Sequence, residues 1–423
     1  MAPCILRLFI PVFGRRAGAR PGSRKLFPMK SVFMRNALVL GMLSAVGPFA
    51  IDMYLPAFPA MAREFQVDVS AVQMSLMSFF LAVALCQSIY GPLSDRFGRK
   101  PPLYAGLGLF VLAGVGCSFA PNAETLIALR FLQGVGSCAA MVIPRAIIRD
   151  LHTGHEAARL MATSMLVFSV SPILAPLAGS ALTAFFSWRA IFWAIAVIGL
   201  GGLAVVLFLL PETHKPDRNR GGVAEAFRTY GSLLKDRRFL GLAFIGGFSQ
   251  ASFFAYLAGS SVIFIEHFGM TPLTYSLVFA SNAIAFIGSA QFNSTLMRRF
   301  GAERVVRTAI SCFAALVTLL FLLTVLGVDN AFILWGLLFV SFGCLGFVIP
   351  STAVLALEEH GSVAGTASAL MGTLQLGTGA AIIVLVSALY NGTSLSMVSA
   401  IFFCALVALT LSFRTMKPKR VYP

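Results

Sequence analysis

The sequence predicts an all-α membrane protein of about twelve transmembrane helices. Three observations carry that reading. The chain of 423 residues is 58% hydrophobic and only 11% charged, with a mean hydropathy of +0.86, whereas a soluble domain carries roughly 25% charged residues. Apolar runs of spanning length recur along the whole chain. The basic residues fall almost entirely in alternate connections between those runs. A soluble protein of this length would lack a polar coat, and 39 Phe residues would not stay solvated in a disordered chain.

Each spanning helix needs about 20 apolar residues. Such runs occupy 36–58, 71–92, 101–120, 125–148, 160–186, 188–210, 239–264, 272–294, 305–326, 331–353, 363–390 and 394–413. Charged or turn residues break them, as at Ser94-Asp95-Arg96, Pro121-Asn122 and Asn391-Gly392. The weakest break is Ser187-Trp188-Arg189, between the fifth and sixth runs.

Of the 32 Lys and Arg residues, 29 precede the first run, follow the last, or cluster at the connections after even-numbered runs. Arg63 and Arg189 alone occupy the other connections, and Arg130 lies inside a run. This asymmetry predicts that both termini are cytoplasmic and that the helix count is even. The net charge of +16 is then topology and contact with the lipid bilayer, not nucleic-acid binding. Residues 1–35 read as a basic cytoplasmic tail, with an organellar transit peptide as the rival. The rest divides into a six-helix bundle over 36–210, a cytoplasmic linker over 211–238, a second six-helix bundle over 239–413 and a short tail over 414–423. The seven Cys form no CxxC pair and read as small buried hydrophobes.

The two halves share a small repeat. Arg96-Phe97-Gly98 follows the second run and Arg299-Phe300-Gly301 follows the eighth, the same slot in each half. A duplicated six-helix unit with a substrate site between the halves, near the midplane, is the transporter architecture that such parallel repeats suggest.

Longer motifs point the same way. Gly91-Pro92-Leu93-Ser94-Asp95-Arg96-Phe97-Gly98-Arg99-Lys100 resembles the loop 2–3 signature of the major facilitator superfamily (MFS). Arg130-Phe131-Leu132-Gln133-Gly134-Val135-Gly136 resembles the helix 4 signature of its proton-coupled members. Ser171-Pro172-Ile173-Leu174-Ala175-Pro176-Leu177-Ala178-Gly179 is similar to the helix 5 antiporter motif, with Ala175 where Gly usually precedes Pro176 and Ser180 where a second Gly is usual. Asp52-Met53-Tyr54-Leu55-Pro56-Ala57-Phe58-Pro59 and Arg145-Ala146-Ile147-Ile148-Arg149-Asp150-Leu151 resemble the Bcr/CflA branch of drug:proton antiporters. The resemblance covers about 35–410, with its specific motifs in the first half. It implies a multi-pass protein of the bacterial inner (cytoplasmic) membrane that exports drug-like small molecules against proton entry. It further implies no cofactor, the proton gradient being the energy source, and a monomer.

Asp52 and Arg130 stand out physically. A charge at a helix centre costs about 2.5–3.5 kcal/mol on insertion scales, so both must face the interior. Counting along helices 1 and 4 puts them at similar depth. At ~4 Å their attraction would be about 4 kcal/mol for an effective dielectric of ~20. The expectation is that Asp52 carries the coupling proton and Arg130 tunes it; a static ion pair joining helices 1 and 4 is the alternative. Arg130, Gln133, Gly134, Ser137, Cys138 and Met141 follow 3–4 spacing and suggest an inward polar face, although Gly134 and Ser137 equally suit close helix packing. Tyr54, Gln250, Phe253, Phe254 and Tyr256 are candidates for a cavity wall that takes aromatic or cationic compounds, or simply packing residues. Asn282, Gln291 and Gln375 are weaker candidates that suit inter-helix hydrogen bonds.

The family resemblance reads Gly91, Asp95, Arg96, Gly98, Arg99, Arg145 and Arg149 as a cytoplasmic gate. In it Asp95 meets a helix N-terminus of the other half, which the helix dipole would favour, while Gly91 and Gly98 permit tight turns. A plain positive-inside loop is the alternative. Pro172 and Pro176 should kink helix 5, with Gly179 allowing close packing.

An enzyme would need converging catalytic groups. The five His lie in loops or at helix ends, and His152 and His155 lack a third metal ligand, so no metal site is expected. No P-loop pattern supports ATP-driven pumping, and no filter or charged ring suggests a channel. A proton-coupled symporter of a small solute, and a transporter-like sensor without turnover, remain as alternatives.

Overall fold

In a computed structural model of the protein, residues 26–214, 223–390 and 392–416 are described. Cys4 and the N-terminal basic residues through Lys25, Lys215, Arg218 and Arg220 of the linker, and Lys417, Lys419 and Arg420 lie outside them. Among the described residues twelve helices are long and apolar enough to cross a membrane, as the hydropathy pattern predicts: α1 (Val32–Phe65), α2 (Val69–Phe97), α3 (Lys100–Ser118), α4 (Ala123–Leu151), α5 (Gly154–Phe185), α6 (Arg189–Phe208), α7 (Arg237–His267), α8 (Pro272–Phe300), α9 (Ala302–Val325), α10 (Ala331–Glu358), α11 (Ala364–Ala388) and α12 (Leu395–Thr415). Twelve crossings put the outer ends of α1 and α12 on one side, called the termini end below; the other is the far end.

The helices extend beyond their apolar cores. The first begins at Leu26, inside the stretch read as a tail, because hydropathy marks the lipid-buried part of a helix and not its end. A further helix, Val223–Leu233, lies within the stretch read as a linker, and Tyr230 and Leu233 are buried against the second bundle. The weak break between the fifth and sixth runs is a true turn. Glu64 holds it, accepting a hydrogen bond from Trp188 Nε1 at 2.6 Å and pairing with Arg189.

Prolines interrupt two helices where the sequence demands it. The α1 helix is continuous to Asp52, turns through Met53 and Tyr54, makes a 3-10 turn over Leu55–Ala57 and resumes as Phe58–Phe65. Pro56 and Pro59 sit in the first turns of those last two pieces, where a missing N–H costs nothing. The α5 helix is split into Gly154–Ser169 and Ser171–Phe185. Pro172 cannot donate to the carbonyl of Phe168, and the Ser171 hydroxyl does so instead at 2.7 Å.

The first piece of α5 packs on α1 and α4 of its own half, whereas the second packs across the seam on α8. The other long seam between the halves runs along α2 and α11. Where the second α5 piece passes the α1 turn, Gly179 is the residue that permits the approach. A Cβ there would stand 1.7 Å from the Met53 carbonyl oxygen. Gly179→Ala should therefore force the two backbones apart at a cost of about 1–3 kcal/mol. Gly201→Ala, whose added Cβ meets nothing within 4 Å, should be silent. Thermal unfolding of both purified variants in detergent checks the contrast.

Candidate functional site

Asp52, Arg99 and Arg130 are the buried charged-type residues among those described. Their surroundings differ sharply. Asp52 is the last residue of the continuous part of α1 and is 4% exposed. It makes no hydrogen bond and no ion pair among the described residues. It lies within electrostatic range of Tyr275 at the start of α8. The Tyr275 hydroxyl in turn lies 3.0 Å from Ser260 Oγ on α7.

Arg130 points elsewhere. The static ion pair with Asp52, the alternative reading, is not formed among the described residues. The guanidinium lies in the interior of the first half, 4.3 Å from the Tyr54 ring centroid, 4.5 Å from Phe79 and 5.9 Å from Phe192. One nitrogen donates to Gln133 Oε1 at 2.5 Å, and Nε and Nη2 meet no hydrogen-bond geometry among the described residues. Cation–π contact in a desolvated site contributes about 2 kcal/mol, which falls short of the several kcal/mol that burying the charge costs. The α1 turn places the Tyr54 ring, not the Asp52 carboxylate, against the guanidinium.

The rest of the polar stripe on α4 also faces its own half. The Gln133 amide abuts Gly114 of α3, and Ser137 and Met141 pack on Gly47 of α1. Gly134 likewise brings α4 against the Phe79 carbonyl of α2. Of the expected cavity wall, Phe254 stacks on Phe80 at 4.2 Å and presses on Gly379, so it belongs to the seam between halves. Phe253 and Tyr256 join an aromatic cluster with Phe279 and Phe342, and Tyr256 Oη accepts from Asn282 at 2.9 Å. Gln250 is half-buried and makes no side-chain hydrogen bond among the described residues. Gln291 bonds within its own helix, and the Gln375 amide rests against Gly246 without a hydrogen bond.

Sequence reasoning missed Gln73. This fully buried amide on α2 donates to the Ala258 carbonyl of α7 at 3.0 Å and accepts from Ser387 of α11 at 2.6 Å. Ser276 of α8 donates to the Pro176 carbonyl of α5 at 2.9 Å, and Arg63 pairs with Glu266 at 3.3 Å. Together these contacts join the halves at the far end. A glutamine inside an apolar run was the available signal.

At the termini end the loop 2–3 motif forms a latch inside the first half. Arg99 pairs with Asp95 at 2.5 Å and, bidentately, with Asp150 at 2.7 and 3.1 Å. Burial opposes the charge on Arg99, but the hydrogen bonds to Asp150 and Asp95 outweigh it and hold the guanidinium pKa above its usual value. Glu212 caps the start of α3 by accepting from the N–H of Arg99 and Lys100. Gly98 has φ +89°, the turn expected of it, whereas Gly91 lies within α2 with open space around it and no positive φ. Asp95 pairs with Arg99, and among the described residues no hydrogen bond or ion pair joins it to the other half. Arg96 lies over Phe97, and Arg145 makes no ion pair among the described residues. Arg149 reaches the start of α11, its guanidinium 3.4 Å from where a Cβ on Gly365 would stand. No group of three or more His, Cys, Asp or Glu among the described residues suits a metal ion.

The family model of the Major Facilitator Superfamily matches residues 40–383. The bicyclomycin resistance protein homolog of Haemophilus influenzae is 32% identical over 388 residues, covering 90% of this chain and 95% of that protein. Multidrug resistance protein D of Escherichia coli is 31% identical over 343 residues, covering 81% and 86%. Among solved structures, the partially occluded, inward-open xylose transporter XylE of E. coli aligns with a TM-score of 0.70 at 14% identity, over 93% of this chain and 99% of that one, a likeness of fold.

The latch yields a test. Arg99→Gln leaves Asp150 and Asp95 without their counter-charge and should destabilise the protein by about 3 kcal/mol. Arg96→Gln removes an exposed cation and should change little. Chemical or thermal unfolding of the two variants separates them.

Proposed function

The chain belongs to the Major Facilitator Superfamily, and on that premise we propose that it exports drug-like small molecules in exchange for protons by alternating access. It is a multi-pass membrane transporter, not an enzyme. Relatives named for resistance to bicyclomycin and to multiple drugs support the substrate class. The strongly one-sided distribution of Lys and Arg supports cytoplasmic termini in a bacterial inner membrane. In that orientation the far end is the outer face, and the conformation described is closed outward.

The observation that carries the coupling is Asp52, buried at the seam between the halves with no counter-charge among the described residues. A carboxylate there would bear an uncompensated desolvation cost, and a bound proton removes it. Asp52 accordingly holds a proton while the outer face is closed. Opening that face admits water, and a cationic or polar substrate group that reaches the turn replaces the proton. Arg130 supplies the second influence from behind Tyr54. Movement of the α1 turn that brings it toward Asp52 would favour the ionised acid by about 4 kcal/mol at ~4 Å and an effective dielectric of ~20. Protons and substrate then compete for one site, and exchange follows.

Transport into everted vesicles under an imposed pH gradient tests this, with phenicols, bicyclic antibiotics and lipophilic cations as trial substrates. Asp52→Asn should abolish gradient-driven uptake at normal expression, and Arg130→Ala should lower it at least tenfold. Gradient-driven transport retained by Asp52→Asn would remove the carrier role.

A further inference from the structure

The duplicated loop is built differently in the second half. Gly301 (φ +82°) is the counterpart of Gly98, each opening the next helix. In the first half Glu212 places its carboxylate on the new helix, accepting from the N–H of Arg99 and Lys100. In the second half no side-chain carboxylate does this for α9 among the described residues. Glu303 and Glu359 both turn to Arg238, at 3.2 and 2.8 Å.

A cavity of about 710 Å³ occupies the corresponding place, with Arg238, Phe300, Glu303, Arg304, Arg307 and Glu358 among its lining. Arg238 is engaged by its two glutamates. Arg304 is exposed and forms no ion pair among the described residues. Arg307 donates through one nitrogen to the Met416 carbonyl, and its Nε is buried without a partner. Among the described residues, two arginines thus line the cavity without a carboxylate of their own, against one unpaired glutamate, Glu358.

We propose that this cavity binds the phosphate headgroup of an anionic membrane lipid. Guanidinium groups match phosphate oxygens in geometry and charge. The cavity lies at the termini end, where α8 and α10 finish and α7 and α9 begin, the level at which headgroups sit. Phe300 and Leu355 give it an apolar wall beside the charged one, which suits a lipid better than a free anion, and its volume is that of an ordinary ligand site. The lipid would supply to the second half the anion that Glu212 supplies to the first. This inference is independent of the coupling role of Asp52.

The full-length protein purified in detergent tests it, by native mass spectrometry of retained phosphatidylglycerol against phosphatidylcholine. The wild type should retain phosphatidylglycerol in preference. Arg304→Gln and Arg307→Gln should each weaken retention about fivefold. Arg298→Gln, which removes a neighbouring cation that does not line the cavity, should leave it unchanged, and Glu358→Gln should strengthen it. Thermal unfolding without added lipid confirms that each variant is folded. Equal retention of the two lipids, or an equal loss with Arg298→Gln, would overturn the site. Weakening by Glu358→Gln would show recognition of an amine and overturn the anion assignment. Displacement of the lipid by millimolar inorganic phosphate would reassign the cavity to a soluble anion.

Discussion

Charge inside a bilayer must be matched or neutralised, and the buried charged-type residues of this chain meet that constraint in three ways. Arg99, at the membrane boundary, is matched in full by Asp95 and Asp150. Arg130 is matched in part, by one amide oxygen and three aromatic faces. Asp52 is not matched by any cation among the described residues. The first arrangement is a rigid structural joint. The other two leave a cation with spare donors and an acid without a partner on helices that touch, a combination suited to a site that changes its protonation.

The backbone explains why these residues sit where they do. Pro56 lacks the N–H that would carry the α1 ladder past Asp52, and the resulting turn puts Tyr54 against Arg130 of α4 and leaves Asp52 within electrostatic range of Tyr275 of α8. Gly179 lets α5 lie directly on that turn, while the α5 break frees its second piece to cross to the other half. One short stretch therefore joins the proton-binding candidate, the buried arginine and the seam between halves. Motion of the seam cannot leave the turn unaffected. The halves themselves are unequal at the termini end, where an internal carboxylate closes one helix start and an open basic cavity lies at the other.

Much of this was legible in the sequence. Runs of apolar residues locate all twelve helices because lipid imposes the same length requirement on each, and the loop 2–3, helix 4 and helix 5 motifs identify the family. Asp52 and Arg130 are conspicuous because a charge in an apolar run has so few acceptable places. What periodicity does not specify is the neighbour. The 3–4 spacing of Arg130, Gln133 and Ser137 defines one face of α4, and that face packs on α1, α2 and α3 of its own half. Asp95 stands one helical turn before Arg99, and that local pairing prevailed over contact with a distant helix. Gln73 is one polar residue at the start of an apolar run, and the run by itself does not mark it out. Its role depends on carbonyl and hydroxyl groups 185 and 314 residues away.

The central claim is that proton and substrate exclude each other at Asp52. The most direct measurement is proton release from the purified, unbuffered protein on addition of a transported compound, followed with a pH-sensitive dye. The account predicts close to one proton released per substrate bound. Binding with no release, or with proton uptake, would contradict it.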